Sequence, residues 1–375
     1  MKFTIKTETL KKGLEVVNHA TATITTTPIL ENILMKVNFG NIVLTSNNLE
    51  MAIEYLIDED IDIAQEWALC IPSKLFSSYI GLVNEDEIMI EKLDDNSIKV
   101  SSESGKMTIK WIDASEFPLI PSIKEETSLT LPGKVVQQSI EKTLFSTAEW
   151  NIRPTLAGIL VKLSWNEAIF ASTDSFRLTE YKAKLDTAVT KDFSWIIPSK
   201  TSSQIKSLLQ NDSAVKIVSG DNQIAFIFGK TRVFSRLLNW QFPDYSNFFP
   251  KSHSTRAEIN KVDLTRALKK INLVSKENNY SIKMSLSSES GILLETSETQ
   301  IGEWNTTLPG NVEGEDNIVG INSTYFLEVL WVIESTHVSI SFENPLAPIM
   351  ILPLADPEKK RDNSDFKHII MPLKI

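Results

Sequence analysis

The sequence predicts an α+β protein built from three similar domains, each with two helices and antiparallel sheets. Three observations carry the prediction: a repeat of about 125 residues, two amphipathic runs at helical spacing in each copy, and short alternating apolar runs between polar turns. A period this long exceeds the roughly 20 to 50 residues of solenoid repeats, so each copy is a domain with its own core.

Each copy opens with a strand, at Ile5, Leu131 and Ile259, leading into a helix whose first apolar positions are Leu10, Val136 and Leu264. A second helix follows Ile71-Pro72-Ser73-Lys74, Ile197-Pro198-Ser199-Lys200 and the weaker copy Ile321-Asn322-Ser323-Thr324. Its apolar residues recur at spacings of three and four: Leu75, Phe76, Tyr79 and Ile80; Ile205, Leu208 and Leu209; Phe326, Leu327, Leu330 and Trp331. Strands show as Ile42-Val43-Leu44, Ile88-Met89-Ile90, Ile98-Lys99-Val100 and Met107 to Trp111, with turn chemistry at Asp94-Asp95-Asn96-Ser97 and Ser101 to Gly105. Such alternation favours antiparallel sheets with one wet face. Phe117-Pro118 and Phe242-Pro243 close the first two copies, because proline does not suit a central strand. Domains at 1–127, 128–252 and 253–375 follow.

The 375 residues are 42% hydrophobic and 23% charged, ordinary globular usage that excludes disorder, collagen and coiled coil. No stretch approaches the ~20 apolar residues of a membrane span, and Met1-Lys2-Phe3-Thr4-Ile5-Lys6 alternates like a strand instead of forming the apolar core of a signal peptide. No membrane partner is expected, and the single cysteine, Cys70, suits a reducing cytoplasm. Thirty-eight basic against 48 acidic residues give a net charge of −10, the opposite of a protein that grips phosphates over its whole surface. Any nucleic-acid role therefore requires a locally basic face.

Motifs for common chemistries are missing. Gly229-Lys230-Thr231 lacks the earlier glycine of a phosphate loop, which is Ile224, and reads as a strand ending in a turn. Four scattered histidines leave little for a zinc site, and the run Asp58-Glu59-Asp60-Ile61-Asp62 lacks the glycine and terminal glutamate of a calcium loop. Cys70 reads as a small buried residue. Asp174 and Arg177 have the look of an acid with an anion clamp, but a structural ion pair holding a turn is the weightier reading.

Met1-Lys2-Phe3, Pro28-Ile29-Leu30, Leu44 to Met51, Thr173-Asp174-Ser175-Phe176-Arg177-Leu178, Phe242-Pro243-Asp244-Tyr245 and Met371-Pro372-Leu373-Lys374-Ile375 stand in a telling order and spacing. Together they resemble the bacterial DNA polymerase III beta subunit, the sliding clamp, over essentially the whole chain. The resemblance implies the DNA clamp fold and a ring-forming, head-to-tail homodimer that encircles double-stranded DNA without sequence preference and tethers DNA polymerase, conferring processivity. It implies a bacterial cytoplasmic protein with no catalytic residues, cofactor or metal. Twelve helices packed side by side at ~10 Å would make a circle about 38 Å across, leaving a hole of about 27 Å after one helix diameter is removed. A duplex whose two groove depths sum to about 16 Å would pass. A ring that cannot fall off needs only a mildly basic inner wall, which fits the acidic total.

By the same resemblance Arg153 and Lys200 lie on the DNA side, and the charges on the first helix of each copy offer Lys12, Lys142, Arg266, Lys269 and Lys270 for that wall, with contacts to phosphate. The helix at about 261 to 276 is the most basic, with Lys261, Arg266, Lys269, Lys270 and Lys276 against Asp263 alone. A DNA-contacting arginine of the family corresponds to Ile24. The resemblance also implies a hydrophobic pocket between the second and third domains for short peptides of the polymerase III alpha subunit, the clamp loader delta subunit and other proteins with clamp-binding motifs. Its residues are Leu156, Thr173, Ser175, Phe176, Arg177, Leu178, Pro243, Phe248, Ile369, Met371, Pro372 and Leu373, with Tyr325, Leu346 and Pro348 at the rim or floor. Ser175-Phe176 replaces a small residue and histidine, Asn247-Phe248 a basic-aliphatic pair, and Lys374 an arginine. Two rival readings are an enzyme using Asp174 and Arg177, which would show turnover, and a scaffold without a DNA role, which would show no dependence on DNA topology.

Overall fold

The computed structural model describes every residue except 23–24, 59–60, 62, 64, 94–95, 121–122, 124–126, 151, 186–187, 190, 210–213, 298–301, 355–365 and 375. The expectation for Ile24, and most of the acidic run from Asp58, lie outside the described residues. Each copy runs strand, helix, strands, helix, strands. The helices are α1 (Thr7–Asn18), α2 (Ser73–Leu82), α3 (Gly133–Thr143), α4 (Ser199–Leu208), α5 (Lys261–Ser275) and α6 (Ser323–Val332). Among the described residues, no helix is long and apolar enough to cross a membrane.

Each helix forms because its apolar residues recur on one stripe. α1 buries Leu10, Gly13, Leu14 and Val17, and α5 buries Leu264, Ala267, Leu268 and Ile271. The second helices are narrower. α2 buries Phe76 and Ile80 while Leu75 stays exposed, and α6 buries Phe326, Val329 and Leu330 while Trp331 is 73% exposed. Pro72 and Pro198 end the strands that lead into α2 and α4, and their fixed φ sets the entry. Where the third copy has Asn322 instead, its Oδ1 accepts from the amides of Thr324 and Tyr325 at 3.0 and 3.3 Å, a cap of about 1 kcal/mol.

Two compact units result, and they follow the sheets instead of the repeats. The first contains Met1–Val136 and Gln204–Leu237, the second Gln137–Ser203 and Leu238–Ile375. In the first unit, a four-stranded sheet runs Lys2–Lys6, Glu87–Lys92, Ser97–Ser101, Lys106–Lys110, beside a nine-stranded sheet. That larger sheet joins strands of the first and second copies where Thr231–Arg236 pairs antiparallel with Met51–Ile57, with Val233 opposite Ile53. In the second unit the same join is made between Arg177–Lys184 and Phe366–Ile370, with Leu178 opposite Ile369. Its four-stranded sheet runs Asn305–Leu308, Gly291–Thr296, Ser281–Ser287, Asn317–Asn322.

Beneath the join in the second unit lies a polar chain in an otherwise apolar interior. Ser146 Oγ meets Thr179 Oγ1 at 2.5 Å, Thr179 Oγ1 meets His368 Nδ1 at 2.8 Å, and the Phe145 ring lies 5.3 Å from the imidazole. His368 is fully buried, and its Nε2 finds no partner among the described residues. Burial, and then the nearby Arg177 charge, hold its pKa well below the usual histidine value. The folded protein thus binds fewer protons at this site than the unfolded chain, so stability is lost as pH falls through the ordinary histidine range near 6.5. Denaturant unfolding at pH 7.5 and 5.5 should show a loss approaching about 1.4 kcal/mol per pH unit below 6.5, and His368→Gln should flatten it. An equal slope in both proteins would contradict this assignment.

Candidate functional site

The candidate pocket is assembled at the join in the second unit. The turn Thr173 to Arg177 is built by side-chain capping: Asp174 Oδ1 accepts from the amides of Phe176 and Arg177 at 2.9 and 3.0 Å, and Thr173 Oγ1 donates to the Arg177 carbonyl at 2.6 Å. Ser175 takes φ +77°, a conformation costly for a residue with a Cβ, so the turn is held in a strained shape by these bonds. The strand that follows carries Leu178, which joins Leu160, Ala171, Ile196, Tyr245 and Ile369 in one buried cluster, with Phe242, Phe249 and Met350 packed against it. After Ile370 the chain continues along the turn, where the Met371 amide donates to the Phe176 carbonyl at 2.8 Å, and Leu373 bridges to Gly320.

This floor is apolar and its rim is exposed. Phe176, Phe248 and Met371 are 51%, 55% and 41% exposed, Leu346 is 72% exposed, and Ser175 and Pro243 are exposed. Thr173, Pro348, Pro372 and Leu373 are half-buried, and Leu156 is buried at the end of the turn Pro154–Leu156. Tyr245 anchors the floor from below: its hydroxyl donates to Glu180 Oε2 at 2.9 Å, and burial with that carboxylate raises its pKa.

Arg177 does not line the pocket as an open anion clamp. It is buried, with Nε on Asp174 at 2.9 Å, Nη1 on Glu328 and Nη2 on the Phe145 carbonyl at 2.6 Å. Its guanidinium lies 4.4 Å from the Tyr325 ring centre and 5.5 Å from that of Phe145. The group ties the turn to α6, which makes it a support of the site. The structural ion pair is the reading the geometry favours. Glu328 had no signal in the sequence, because its partner is 151 residues away.

One of the DNA-facing expectations needs correction. Lys142 is buried, and its ammonium donates to the Val332 carbonyl and to Glu334 at 3.1 Å, so it is unavailable to a phosphate. The reason is that this side of α3 meets the end of α6, whose last carbonyl takes the lysine. Arg153 is exposed and donates to Ser175 Oγ, with its guanidinium 5.7 Å from the Phe176 ring centre. Lys12 is exposed on α1, Lys200 is exposed in the first turn of α4, and Arg266, Lys269 and Lys270 are exposed on α5. Arg266 pairs with Asp263 at 3.3 Å, an exposed contact of little weight. Between α5 and α6 lies an open groove of about 380 Å³ walled by Arg266, Lys269 and Trp331, with Lys269 Nζ 5.7 Å from the indole. From the sequence Trp331 reads only as part of a helical stripe.

Other expectations resolve simply. Cys70 is buried, and burial first, then Asp113 and Glu116, pushes its thiol up to about 12, which leaves no nucleophile. Asp58 pairs with Lys230 at 2.6 Å. Gly229, at φ +53°, turns the chain between two strands.

Comparisons with known proteins show the family and the fold. Three family models, described as the N-terminal, central and C-terminal domains of the DNA polymerase III beta subunit, match residues 1–121, 130–244 and 246–374. The chain is 26% identical to the beta sliding clamp of Bacillus subtilis over 360 residues, covering 94% of this chain and 95% of that relative. It is 26% identical to the beta sliding clamp of Staphylococcus epidermidis over 385 aligned residues, covering 100% and 99%. Among solved structures, a putative DNA polymerase III beta subunit from Eubacterium rectale has a TM-score of 0.91 at 26% identity, with both chains covered in full. The beta chain from Streptococcus pneumoniae, at 24% identity, shows the same fold with a TM-score of 0.94 over the full length of both chains.

Breaking the Arg177 hub should destabilise the second unit. Arg177→Ala removes the partner of two carboxylates, one of them largely buried, and is expected to cost about 3 kcal/mol by denaturant unfolding. A cost below about 1 kcal/mol would show that the ion pairs do not hold the turn.

Proposed function

Because this chain belongs to the bacterial DNA polymerase III beta-subunit family of sliding clamps, we propose that it is a processivity factor without catalysis of its own. It acts as a head-to-tail homodimer that encircles duplex DNA and tethers the replicative polymerase. Its pocket around Leu178 and Met371 takes short apolar peptides of the polymerase III alpha subunit, the clamp loader delta subunit and other proteins with such motifs.

The observation that carries the dimer is the use of sheet edges. Twice within the chain, the second sheet of one copy pairs with the first sheet of the copy before it, at Thr231–Arg236 with Met51–Ile57 and at Phe366–Ile370 with Arg177–Lys184. The repeat leaves one of each edge over: Lys106–Lys110 in the first copy and Asn305–Leu308 in the third, each the last strand of its sheet. Unpaired edges are templates for another strand, and a partner molecule supplies the complementary one. Helices obey the same rule. The Lys142 contact brings α3 to the end of α6, so α5 of one protomer is expected at the end of α2 of its partner, where Leu82 is 80% exposed; Leu273, in the last turn of α5, is 76% exposed. Two such seams close six domains.

Enclosure then explains the charge. A linked ring holds DNA without tight binding, so the acidic total discourages stray contacts while the exposed cations of α5 screen phosphate. Methionine and aliphatic groups in the pocket adapt to varied peptides.

Three measurements test this reading. Leu273→Asp should raise the dimer dissociation constant at least tenfold by light scattering, and an unchanged dimer would remove the seam. Protein loaded on nicked circular DNA should stay bound through gel filtration and be released by linearisation; equal retention on both forms would refute enclosure. Met371→Ala with Leu373→Ala should weaken polymerase-peptide binding by calorimetry at least tenfold while the dimer persists, and unchanged affinity would refute the pocket.

A further inference from the structure

The first unit contains a cavity of about 90 Å³, several times the ~10 to 15 Å³ that one water needs, beside the join of Met51–Ile57 with Thr231–Arg236. Its walls are the repeat-equivalents of the candidate pocket. Asn47 stands opposite Ala52 as Thr173 stands opposite Leu178, and the turns between them each hold one residue at positive φ, Leu49 at +70° and Ser175 at +77°. In both turns a side-chain oxygen one residue earlier, from Asn48 or Asp174, accepts two consecutive amides. Across the join, Phe234 lies opposite Ala52 as Ile369 lies opposite Leu178, so Arg236 occupies the place of Met371. Pro118 and Ile123 line the cavity and are the repeat-equivalents of Pro243 and Phe248.

We propose that this cavity is a second peptide-docking site, specific for a short linear segment that places one medium-sized apolar side chain beside an acidic one. The inference rests on the reading of the first pocket, because it assigns the same task to the same construction. The apolar part follows from Met51, Pro118, Leu119, Ile120 and Phe234 on the walls. The acidic part follows from Arg236: it is exposed, it pairs with no carboxylate among the described residues although Glu50 shares the lining, and it stands where the first pocket has a thioether. A guanidinium recognises a carboxylate by two parallel hydrogen bonds. The site is smaller than a full groove, so one anchor residue dominates, and each clamp protomer would hold two peptides of different preference. A partner with two such segments would gain from their linkage.

The test is calorimetric titration of the intact dimer with the acetylated, amidated pentapeptide Ala-Asp-Leu-Phe-Ala, and with its counterpart Ala-Lys-Leu-Phe-Ala. Wild-type protein should bind two of the acidic peptides per chain. Met371→Ala with Leu373→Ala should remove one event and leave the other, whereas Arg236→Glu, a surface change, should weaken the remaining event at least tenfold and leave the first intact. The lysine peptide should lose the event that depends on Arg236. One event per chain, lost in the Met371 and Leu373 variant and unmoved by Arg236→Glu, would overturn this second site while keeping the first. Any titration that Arg236→Glu leaves unchanged also overturns it. Loss of neither event in the Met371 and Leu373 variant would instead count against the first pocket.

Discussion

Backbone pairing between strands of different copies is the constraint on which the rest depends. A sheet of four strands exposes two edges, each a row of unsatisfied amides and carbonyls. In this chain the edges of adjacent copies satisfy one another, at Val233 with Ile53 and at Leu178 with Ile369. The compact units therefore cut through the middle copy, and the candidate peptide surface lies at a join, where the turn before one strand meets the end of the other.

The pocket in the second unit illustrates how a join becomes a site. Antiparallel pairing places Met371 on the turn that contains Phe176, above an apolar cluster whose one hydroxyl, that of Tyr245, is held by Glu180. Holding that turn in shape requires buried charge. Arg177 balances Asp174 and Glu328 and sits between two aromatic rings, which satisfies a guanidinium in a place where an unpaired one would be costly. Exposed aromatics at the rim, Phe176 and Phe248, then give the mouth a character set by residues that the support does not constrain.

The same architecture reconciles an acidic protein with a role on DNA. Cations are concentrated where helices present them, above all on α5, and several others are engaged internally: Lys11 with the Val83 carbonyl, Lys142 with that of Val332, Lys261 with that of Ile333. These lysines close helix ends, satisfying carbonyls left over by the last turn. A count of basic residues on a helix therefore overstates its positive face.

Local physics made much of this legible from the chain alone. Apolar spacing of three and four located the second helix of each copy and alternation with turn residues located the strands, because these signals arise between residues close in sequence, while the 125-residue recurrence aligned the first helices and required three like domains. What only the tertiary structure decided is where single side chains go: that Lys142 is buried against Val332, that Arg153 meets Phe176, that Glu328 holds Arg177, and that Trp331 and Leu273 face outward. The reason is physical. Periodicity specifies which face of an element is apolar, whereas the destination of an individual side chain is settled by which strand edges meet, and that meeting is determined by contacts across more than a hundred residues.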